Sequence, residues 1–384
     1  MQYRNYGKTG MKVSALGLGC MRLPRIYDGS GKAQVDREKA YELIRYAANN
    51  GINYFDTAFT YHNKTSEEVL GEALEGELRK KVHIATKQPL AVMTTQDDIR
   101  RNLEGTLKKL RTDYLDVYII HNIVNTSWET IKNRNIYAEF EKFKKEGLIK
   151  NIGFSFHGTY DVFKDILKYA DWDMCQIQQN MLDTAFEATE QGIFDAGEKG
   201  CALVIMEPLK GGGLANMPPS VKAIYDEYPE KRGPVEWAFR HVINYPQVST
   251  ILSGMTTMEQ LKENIALFSR EDFAPNCLSD KEKDILLRAK VAYEALIGVP
   301  CTKCEYCLPC PQGINIPGIF SRYNDGTMFG DFSQPKRSYM LFSNSNPAAD
   351  KCVECGACES KCPQHIKIIE ELKVAHEALK GWVE

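Results

Sequence analysis

The chain has 384 residues, of which 43% are hydrophobic and 26% charged, and its formal net charge is −3. This length accommodates one large domain of about 250 to 300 residues and a smaller one. The nearly balanced charge argues against a nucleic acid or an anionic membrane as partner. No apolar run reaches about 18 residues, and no basic segment followed by an apolar one opens the chain. We therefore predict no membrane span and no signal peptide, and we expect a cytoplasmic protein.

Short apolar runs alternate with longer amphipathic runs from residue 15 to about 268. Eight runs predict strands, at 15–19, 52–56, 82–87, 115–121, 149–155, 174–179, 201–207 and 248–254. Helical periodicity is clearest at 36–50, 66–80, 95–110 and 257–268. Eight strands, each followed by a helix, favour an α/β fold built as a closed (β/α)8 barrel of the TIM type. An open doubly wound sheet is the alternative, but GLGCMRLP lacks its glycine-rich turn.

Residues capable of chemistry end several of these strands. Catalytic groups of such barrels gather at the C-terminal ends of the strands. The residues at these ends are Asp56, Lys87, His121, Ser155, Gln178 and Ser253, and Tyr61 lies in the loop after the second strand. An acid, a lysine, a tyrosine and a histidine from neighbouring strands can converge on one pocket.

A series of motifs then suggests a family. These motifs are NYFDTAFTYHNKTSEEVLGEAL, ATK, DVYIIHN, IGFS, QIQQN, EPLKGGGL and SGMTTMEQLKEN, after the opening GKTGMKVSALGLG. In order and spacing, residues 5–270 resemble the aldo-keto reductase family. The resemblance implies a small-molecule carbonyl or alcohol substrate and NADP(H) or NAD(H) as cofactor. It also implies a catalytic tetrad, which consists of Asp56, Tyr61, Lys87 and His121.

The roles of the tetrad follow from the reaction that the resemblance implies. Hydride transfer to a carbonyl leaves an alkoxide that needs a proton. A tyrosine, with a pKa of about 10, is a weak acid near neutrality, and a neighbouring lysine cation is expected to lower that pKa. In this scheme Lys87 assists Tyr61, and Asp56 keeps Lys87 charged. His121 would orient or polarise the carbonyl oxygen.

The resemblance also implies residues that bind the cofactor. Ser155 and Gln178 would bind the nicotinamide carboxamide, and Met206 stands where the family commonly has an aromatic ring. The other expected contacts are Pro208, Leu209, Gly211, Ser253, Gly254, Gln260, Glu263 and Asn264. No lysine or arginine lies between Ser253 and Gln260 to pair with a 2′-phosphate, so NADPH and NADH both stay open.

Eight of the twelve cysteines fall in two short runs, CTKCEYCLPCP at 301–311 and CVECGACESKCP at 352–363. In a cytoplasmic protein such clustering predicts metal or redox ligands rather than disulfides. The second run has the spacing with which bacterial ferredoxins hold a [4Fe–4S] cluster, and the first is one residue shorter in its last gap. Zinc bound by paired C-x-x-C sequences is the alternative. Six other residues are interpreted as structural: His62, His157, Cys20, Cys175, Cys201 and Cys277.

A resemblance to two-cluster ferredoxins implies that each run donates one ligand to the other cluster. The first set would be Cys301, Cys304, Cys307 and Cys362, and the second Cys352, Cys355, Cys358 and Cys310. Residues 311–351 are rich in Pro, Gly, Asn and Ser and show little periodicity. We therefore expect a module organised by metal rather than by its own apolar core. The predicted domains are the barrel at 1–290 and a ferredoxin-like iron–sulfur domain at 291–384.

These features predict an oxidoreductase whose barrel transfers hydride and whose two clusters relay single electrons. A bound flavin such as FMN is a candidate converter between the two kinds of transfer, and a redox protein is a candidate partner. One alternative is a plain NAD(P)H-dependent carbonyl reductase whose clusters only fold the tail. Another is a non-enzymatic electron-transfer module on an inactive barrel.

Overall fold

A computed structural model describes residues 1–27 and 33–382. Its strands are β1 Tyr3–Asn5, β2 Lys12–Ser14, β3 Leu16–Gly19, β4 Arg25–Tyr27, β5 Ala33–Val35, β6 Tyr54–Asp56, β7 His83–Pro89, β8 Leu115–Ile123, β9 Ile149–Phe156, β10 Met174–Gln178, β11 Ala202–Met206 and β12 Val248–Ser253. Its helices are α1 Arg37–Asn49, α2 Ser66–Leu74, α3 Gln96–Leu110, α4 Trp128–Asn133, α5 Ile136–Lys145, α6 Tyr160–Tyr169, α7 Thr189–Glu198, α8 Pro219–Tyr225, α9 Pro234–Ile243, α10 Met258–Leu267, α11 Asp280–Glu294, α12 Ile316–Phe329, α13 Ser333–Ser343 and α14 Ile368–Leu379.

The chain forms two compact units. The first consists of Met1–Pro208 with Ala238–Ser279, and the second of Leu209–Trp237 with Asp280–Glu384. All eight barrel strands lie in the first unit, and both cysteine runs lie in the second. The domain limit at 290/291 stays a prediction.

Eight parallel strands close into a barrel, as the sequence predicts. Their order around it is β3, β6, β7, β8, β9, β10, β11 and β12, and β12 pairs with β3 to complete the ring. Apolar side chains fill the interior: Val13, Tyr54, Ala85, Val117, Ile119, Met174, Ala202, Val204 and Leu252. Since side chains alternate between the two faces of a strand, these residues fix which positions point inward.

Helix α3 illustrates how the sequence sets the limits of an outer helix. At the start of α3, the Thr95 hydroxyl accepts a hydrogen bond from the Asp98 amide, and the Asp98 carboxylate accepts one from the Thr95 amide, both at 3.1 Å. This capping box satisfies two amide groups that the first turn of a helix leaves unpaired. The helix ends at Arg111, whose left-handed conformation (φ 50°) stops it.

The second unit contradicts the expectation that metal alone organises it. Helices α12 and α13 occupy most of the stretch that shows little periodicity in the sequence, and α12 packs against α13 and α14. These helices share an apolar core, which contains Val299, Ile314, Ile316, Ile319, Phe320, Tyr339, Ile366, Ile368, Leu372 and Leu379. The expectation of a module organised only by metal is therefore wrong, because buried aliphatic and aromatic side chains also hold it together.

Within the described ranges, every helix is too short or too polar to cross a lipid bilayer.

Candidate active site and cluster-binding module

Three of the four tetrad positions share the inward face of the barrel. Asp56, Lys87 and His121 each lie two residues beyond an interior residue, namely Tyr54, Ala85 and Ile119. Because side chains two apart on a strand point the same way, all three are directed into the barrel at its C-terminal end. Strand register thus brings together residues that lie far apart in the sequence.

The contacts within the tetrad centre on Lys87. Its ammonium group donates hydrogen bonds to the Asp56 carboxylate and, at 2.9 Å, to the carbonyl oxygen of Thr57. The same ammonium lies 5.1 Å from the ring centroid of Tyr61, and the rings of Tyr61 and His121 meet edge to face at 6.0 Å. Lys87 is only 1% exposed and Asp56 2%. The four predicted residues therefore form one constellation around a buried ion pair.

Burial and Lys87 shift the pKa of the Tyr61 hydroxyl in opposite directions. Burial raises the pKa of the Tyr61 hydroxyl and Lys87 lowers it, and the net pKa lies above the usual value of 10.0. Lys87 acts on this pKa in the expected direction, but burial has the larger effect. Tyr61 therefore stays protonated at neutral pH and is suited to donate a proton.

The charges of Lys87 and His121 are set by their surroundings. Burial lowers the pKa of Lys87, but the attraction of Asp56 and Tyr61 outweighs burial, so the pKa is raised and the side chain stays an ammonium ion. Burial lowers the pKa of His121 to about 3, and Lys87 and His157 lower it further. His121 is thus a neutral imidazole at neutral pH, able to donate a hydrogen bond to a carbonyl oxygen without protonating it.

The segment after Tyr61 has an uncommon backbone. Three successive residues, His62, Asn63 and Lys64, have φ values of 48°, 53° and 72°. The left-handed region is uncommon for residues other than glycine, and such conformations cluster at functional sites. The Tyr61 amide donates to the Ala58 carbonyl oxygen at 3.1 Å, which tightens the turn that carries the phenol.

The residues expected to bind a nicotinamide carboxamide differ in the hydrogen bonds that they make within the protein. The Ser155 hydroxyl accepts a hydrogen bond from the Asn122 amide at 2.8 Å. The Gln178 amide donates to Asp183 at 3.0 Å. By contrast, the side-chain oxygen of Gln176 and both side-chain amide atoms of Gln179 are buried without a partner among the described residues.

Buried amide groups without partners are costly, so a bound ligand would satisfy them. Gln176 lies on the inward face, two residues after Met174, and pairs in register with Ser155. Its side-chain nitrogen lies 3.8 Å from the sulfur of Met206. The residues at this end of β10 thus fit a nicotinamide carboxamide. Gln176 is not among the residues predicted from the sequence, although strand alternation gives it the same face as Gln178.

The expected adenosine end lies where β12 leads into α10. The Ser253 hydroxyl accepts a hydrogen bond from the buried side chain of Asn264 at 3.2 Å, and Glu263 is exposed. Gln260 is used differently, because its side chain accepts from the Thr257 amide at 3.3 Å and completes a capping box. Its predicted role in cofactor binding stays a prediction.

A cation lies beside this segment. A Cβ atom added at Gly254 would come within 3.1 Å of the side chain of Arg22, and the Thr256 hydroxyl donates to the Arg22 carbonyl oxygen at 2.9 Å. The expectation about a 2′-phosphate concerned only the residues between Ser253 and Gln260, which include no lysine or arginine. Arg22 lies outside this stretch in the sequence, and barrel closure, not chain proximity, places β3 beside β12.

The residues expected after the seventh barrel strand divide between the two units. Met206 and the buried Pro208 belong to the first unit, whereas Leu209 and Gly211 belong to the second. Gly211 adopts φ 66°, which a residue with a side chain rarely does. Within the second unit, Lys210 pairs with Asp325 of α12 at 3.5 Å.

One proposed set of cysteines surrounds a cavity in the second unit. The cavity measures about 380 Å³ with its open mouth, and Cys310, Cys352, Cys355 and Cys358 all line it, as does Cys307. Apolar side chains complete the wall: Ile314, Ile316, Ile369 and Leu372. This grouping joins Cys310 of the first run to three cysteines of the second, which fits the crossover expected for a two-cluster ferredoxin.

In the other proposed set, Cys362 of the second run lies near cysteines of the first run. Burial raises the pKa of the Cys301 thiol, and the neighbouring Cys304 and Cys362 raise it further. Cys362 of the second run therefore lies near the first. Across residues 1–27 and 33–382, no three Cys, His, Asp or Glu side chains converge as ligands of a single metal ion do.

Comparison with known proteins supports the assignments of both the barrel and the iron–sulfur domain. Residues 15–276 match the Aldo/keto reductase family, and residues 300–366 match the 4Fe-4S dicluster domain. The first match covers more than half of the chain. The protein belongs to the aldo/keto reductase family, is an oxidoreductase and carries a 4Fe-4S dicluster domain.

The individual relatives have low sequence identity to this chain. The chain is 25% identical to the oxidoreductase YqkF of Bacillus subtilis (strain 168) over 69% of this chain and 90% of that protein. It is 26% identical to L-galactose dehydrogenase of Arabidopsis thaliana, over 69% of this chain and 88% of that protein. Among solved structures, the holo form of aldo-keto reductase AKR11C1 from Bacillus halodurans has a TM-score of 0.63 at 25% identity, covering 75% of this chain and 96% of that one.

Proposed function

We propose that this protein reduces a small carbonyl compound to an alcohol, with NADPH or NADH as hydride donor and Tyr61 as proton donor. The observation that carries the proposal is the buried ammonium group of Lys87, which lies between the Asp56 carboxylate and the Tyr61 ring. The L-galactose dehydrogenase relative supports a sugar-sized alcohol or carbonyl as one substrate range. In the reverse direction the same residues would oxidise an alcohol.

The tetrad supplies the proton and stabilises the charge it leaves behind. As negative charge develops on the carbonyl oxygen, the Tyr61 hydroxyl gives its proton to that oxygen and becomes a phenolate. Lys87 stabilises the phenolate, and this effect is strong because water is largely excluded from the buried pair. Asp56 fixes the position of Lys87, and neutral His121 donates a hydrogen bond to the carbonyl oxygen. A bound nicotinamide, held by Ser155 and Gln176 or Gln178, supplies the hydride.

The cysteine sets favour a second role in single-electron transfer. Each set includes one exposed cysteine, Cys304 in the first and Cys355 in the second. A cluster held by an exposed thiolate would lie near the surface, where a redox protein could exchange electrons with it. Bound clusters supply this single-electron chemistry. A flavin, by contrast, gains no support from the comparisons with known proteins.

Anaerobic purification followed by two assays tests the proposal. Iron and absorbance measurements establish the clusters, and oxidation of NADPH or NADH is then followed with propanal as the carbonyl probe. We expect one nicotinamide oxidised for each propanal reduced. Oxidation without formation of propanol would contradict the proposal.

The relay role needs a separate measurement. NADPH or NADH is added anaerobically without a carbonyl, and the EPR signal of reduced clusters is followed. Two one-electron clusters take up the two electrons of one nicotinamide, so a relay predicts reduced clusters in both sets. Rapid carbonyl reduction with silent clusters would show that the clusters are structural.

A further inference from the structure

A second histidine lies at the mouth of the barrel, beside the tetrad. His157 directly follows β9 and lies two residues beyond Ser155, so it continues the inward face of that strand. Its amide donates to the carbonyl oxygen of Ile123, at the C-terminal end of β8, at 2.8 Å. His121 lies on the same strand β8, two residues before Ile123. The interpretation of His157 as a structural residue does not account for this position.

His157 is paired with an acid from the neighbouring loop. Its Nδ1 atom lies 3.1 Å from Glu187 Oε1, and Glu187 belongs to the loop between β10 and α7. The side chain of His157 is 31% exposed and that of Glu187 only 10%. We call these two residues the His157–Glu187 dyad. Both follow C-terminal ends of barrel strands, where substrates of such barrels bind.

The second carboxylate oxygen of the dyad is unsatisfied. Glu187 Oε2 is buried and has no hydrogen-bond partner among the described residues. A buried carboxylate oxygen without a donor is costly, and each such group needs an explanation. Glu187 also has φ 52°, an uncommon conformation for a non-glycine residue that persists only where its surroundings enforce it. Both observations indicate a functional position rather than a passive ion pair.

Neighbouring acids oppose the effect of burial on the pKa of His157. Burial lowers the pKa of His157, but Glu187 and Glu207 outweigh burial, so the pKa lies above its usual value. His157 in turn lowers the pKa of His121, as does Lys87, so the dyad lies within electrostatic reach of the tetrad.

We propose that the His157–Glu187 dyad is a substrate subsite that binds a hydroxyl group next to the reacting carbonyl. A substrate hydroxyl donates a hydrogen bond to Glu187 Oε2, while His157 holds the carboxylate in place. The inference rests on the proposed reductase function and adds to it the class of substrate, a hydroxylated aldehyde or ketone.

The chemistry of the dyad selects a hydroxyl over two other groups. A substrate carboxylate or phosphate would place negative charge against the unpaired oxygen of Glu187 and is disfavoured. An alkyl group would leave that oxygen buried without a donor, which is the arrangement that such sites reject most strongly. A hydroxyl supplies the missing donor and brings no net charge.

The test compares two aldehydes of equal carbon number, glyceraldehyde and propanal. The holoprotein is assayed anaerobically with NADPH or NADH, and the quantity measured is the ratio of kcat/KM for glyceraldehyde to kcat/KM for propanal. We expect a wild-type ratio of about ten or more. Glu187→Leu removes the acceptor and should lower this ratio about tenfold, and His157→Phe should lower it in the same direction. If the leucine variant does not fold, Glu187→Gln keeps the shape of the side chain but replaces the charged acceptor by a weaker, neutral one, and it should lower the ratio in the same direction by a smaller factor.

The protein contains a matched control pair. His83 Nδ1 lies 3.4 Å from Asp116 at the opposite, N-terminal end of the barrel, and the His83 side chain is 25% exposed. His83→Gln should leave the substrate ratio unchanged. A wild-type enzyme that reduces both aldehydes equally, or a faster reaction with pyruvate than with glyceraldehyde, would overturn the subsite and leave the reductase proposal intact. An unchanged ratio in the Glu187 variants would do the same. Failure to reduce either aldehyde would overturn both proposals.

Discussion

Side chains at the ends of parallel strands make up the candidate active site of the barrel, whereas loops around helices carry the cysteines of the second unit. Asp56 and Lys87 are almost fully buried, but Cys304 and Cys355 are exposed. In the barrel, burial strengthens the charge interactions on which proton transfer depends. In the second unit, an apolar core of helices holds the fold, and each proposed cysteine set includes one exposed thiol. The two regions therefore hold their candidate functional groups in different environments, buried in the barrel and partly exposed in the second unit.

This contrast predicts that removing one cysteine ligand lowers the iron content of the second unit but leaves that unit folded. Cys355→Ser deletes an exposed thiolate from one proposed set and leaves the apolar core of α12, α13 and α14 untouched. We expect the iron content to fall by about half while the far-UV circular dichroism keeps its helical signal. Iron and sulfide assays on anaerobically purified protein measure the first effect.

The matched control is Cys277→Ser, which changes an isolated cysteine of the first unit. It should retain the full iron content. Full iron in the Cys355→Ser protein would show that this cysteine is not a ligand. Loss of the helical signal together with the iron would show that metal, not the apolar core, holds the second unit.

The barrel should respond to acid through His121. Burial holds its folded-state pKa at about 3, below the ordinary value of 6.5, so the unfolded chain binds this proton more readily than the folded protein. The stability is therefore undiminished above about pH 6.5 and falls as the pH drops toward 3. After allowing for partial exposure of the ring, we expect a loss of about 1 to 2 kcal/mol at pH 4.

His121→Asn removes the titrating ring and should flatten this part of the pH profile. Urea unfolding of both proteins at pH 7.5 and pH 4 isolates the effect, because other groups titrate equally in both. One such group is Asp116, whose pKa is lowered to about 2, mainly by His83 and Arg79 acting against burial. Equal losses of stability in the two proteins would show that His121 titrates normally.

The sequence predicts the barrel well because strand and helix periods are visible in it. All eight predicted strands overlap observed ones, and the tetrad residues fall at the expected strand ends. The prediction needs only the alternation of side chains along a strand and the rule that the C-terminal ends of parallel strands lie together in a barrel. By the same rule Gln176 is predictable as a site residue, since it shares a strand face with Gln178.

The remaining features depend on information that no local window contains. Helices α12 and α13 include Pro and Gly residues, which weaken the helical pattern, and tertiary packing stabilises them instead. Arg22 reaches Gly254 only because the barrel closes. The sign of the net pKa shift of Tyr61 depends on how deeply the ring is buried, and burial depends on the whole fold.

The most direct test of the account is carbonyl reduction by Tyr61→Phe in protein with its clusters intact. Tyr54→Phe is the control, because Tyr54 is a buried barrel tyrosine whose hydroxyl bonds to that of Tyr6 at 2.9 Å. We predict that kcat falls about a thousandfold in Tyr61→Phe, with iron content unchanged, and stays near wild type in Tyr54→Phe. A Tyr61→Phe enzyme that reduces propanal within a few-fold of the wild-type rate would contradict the account.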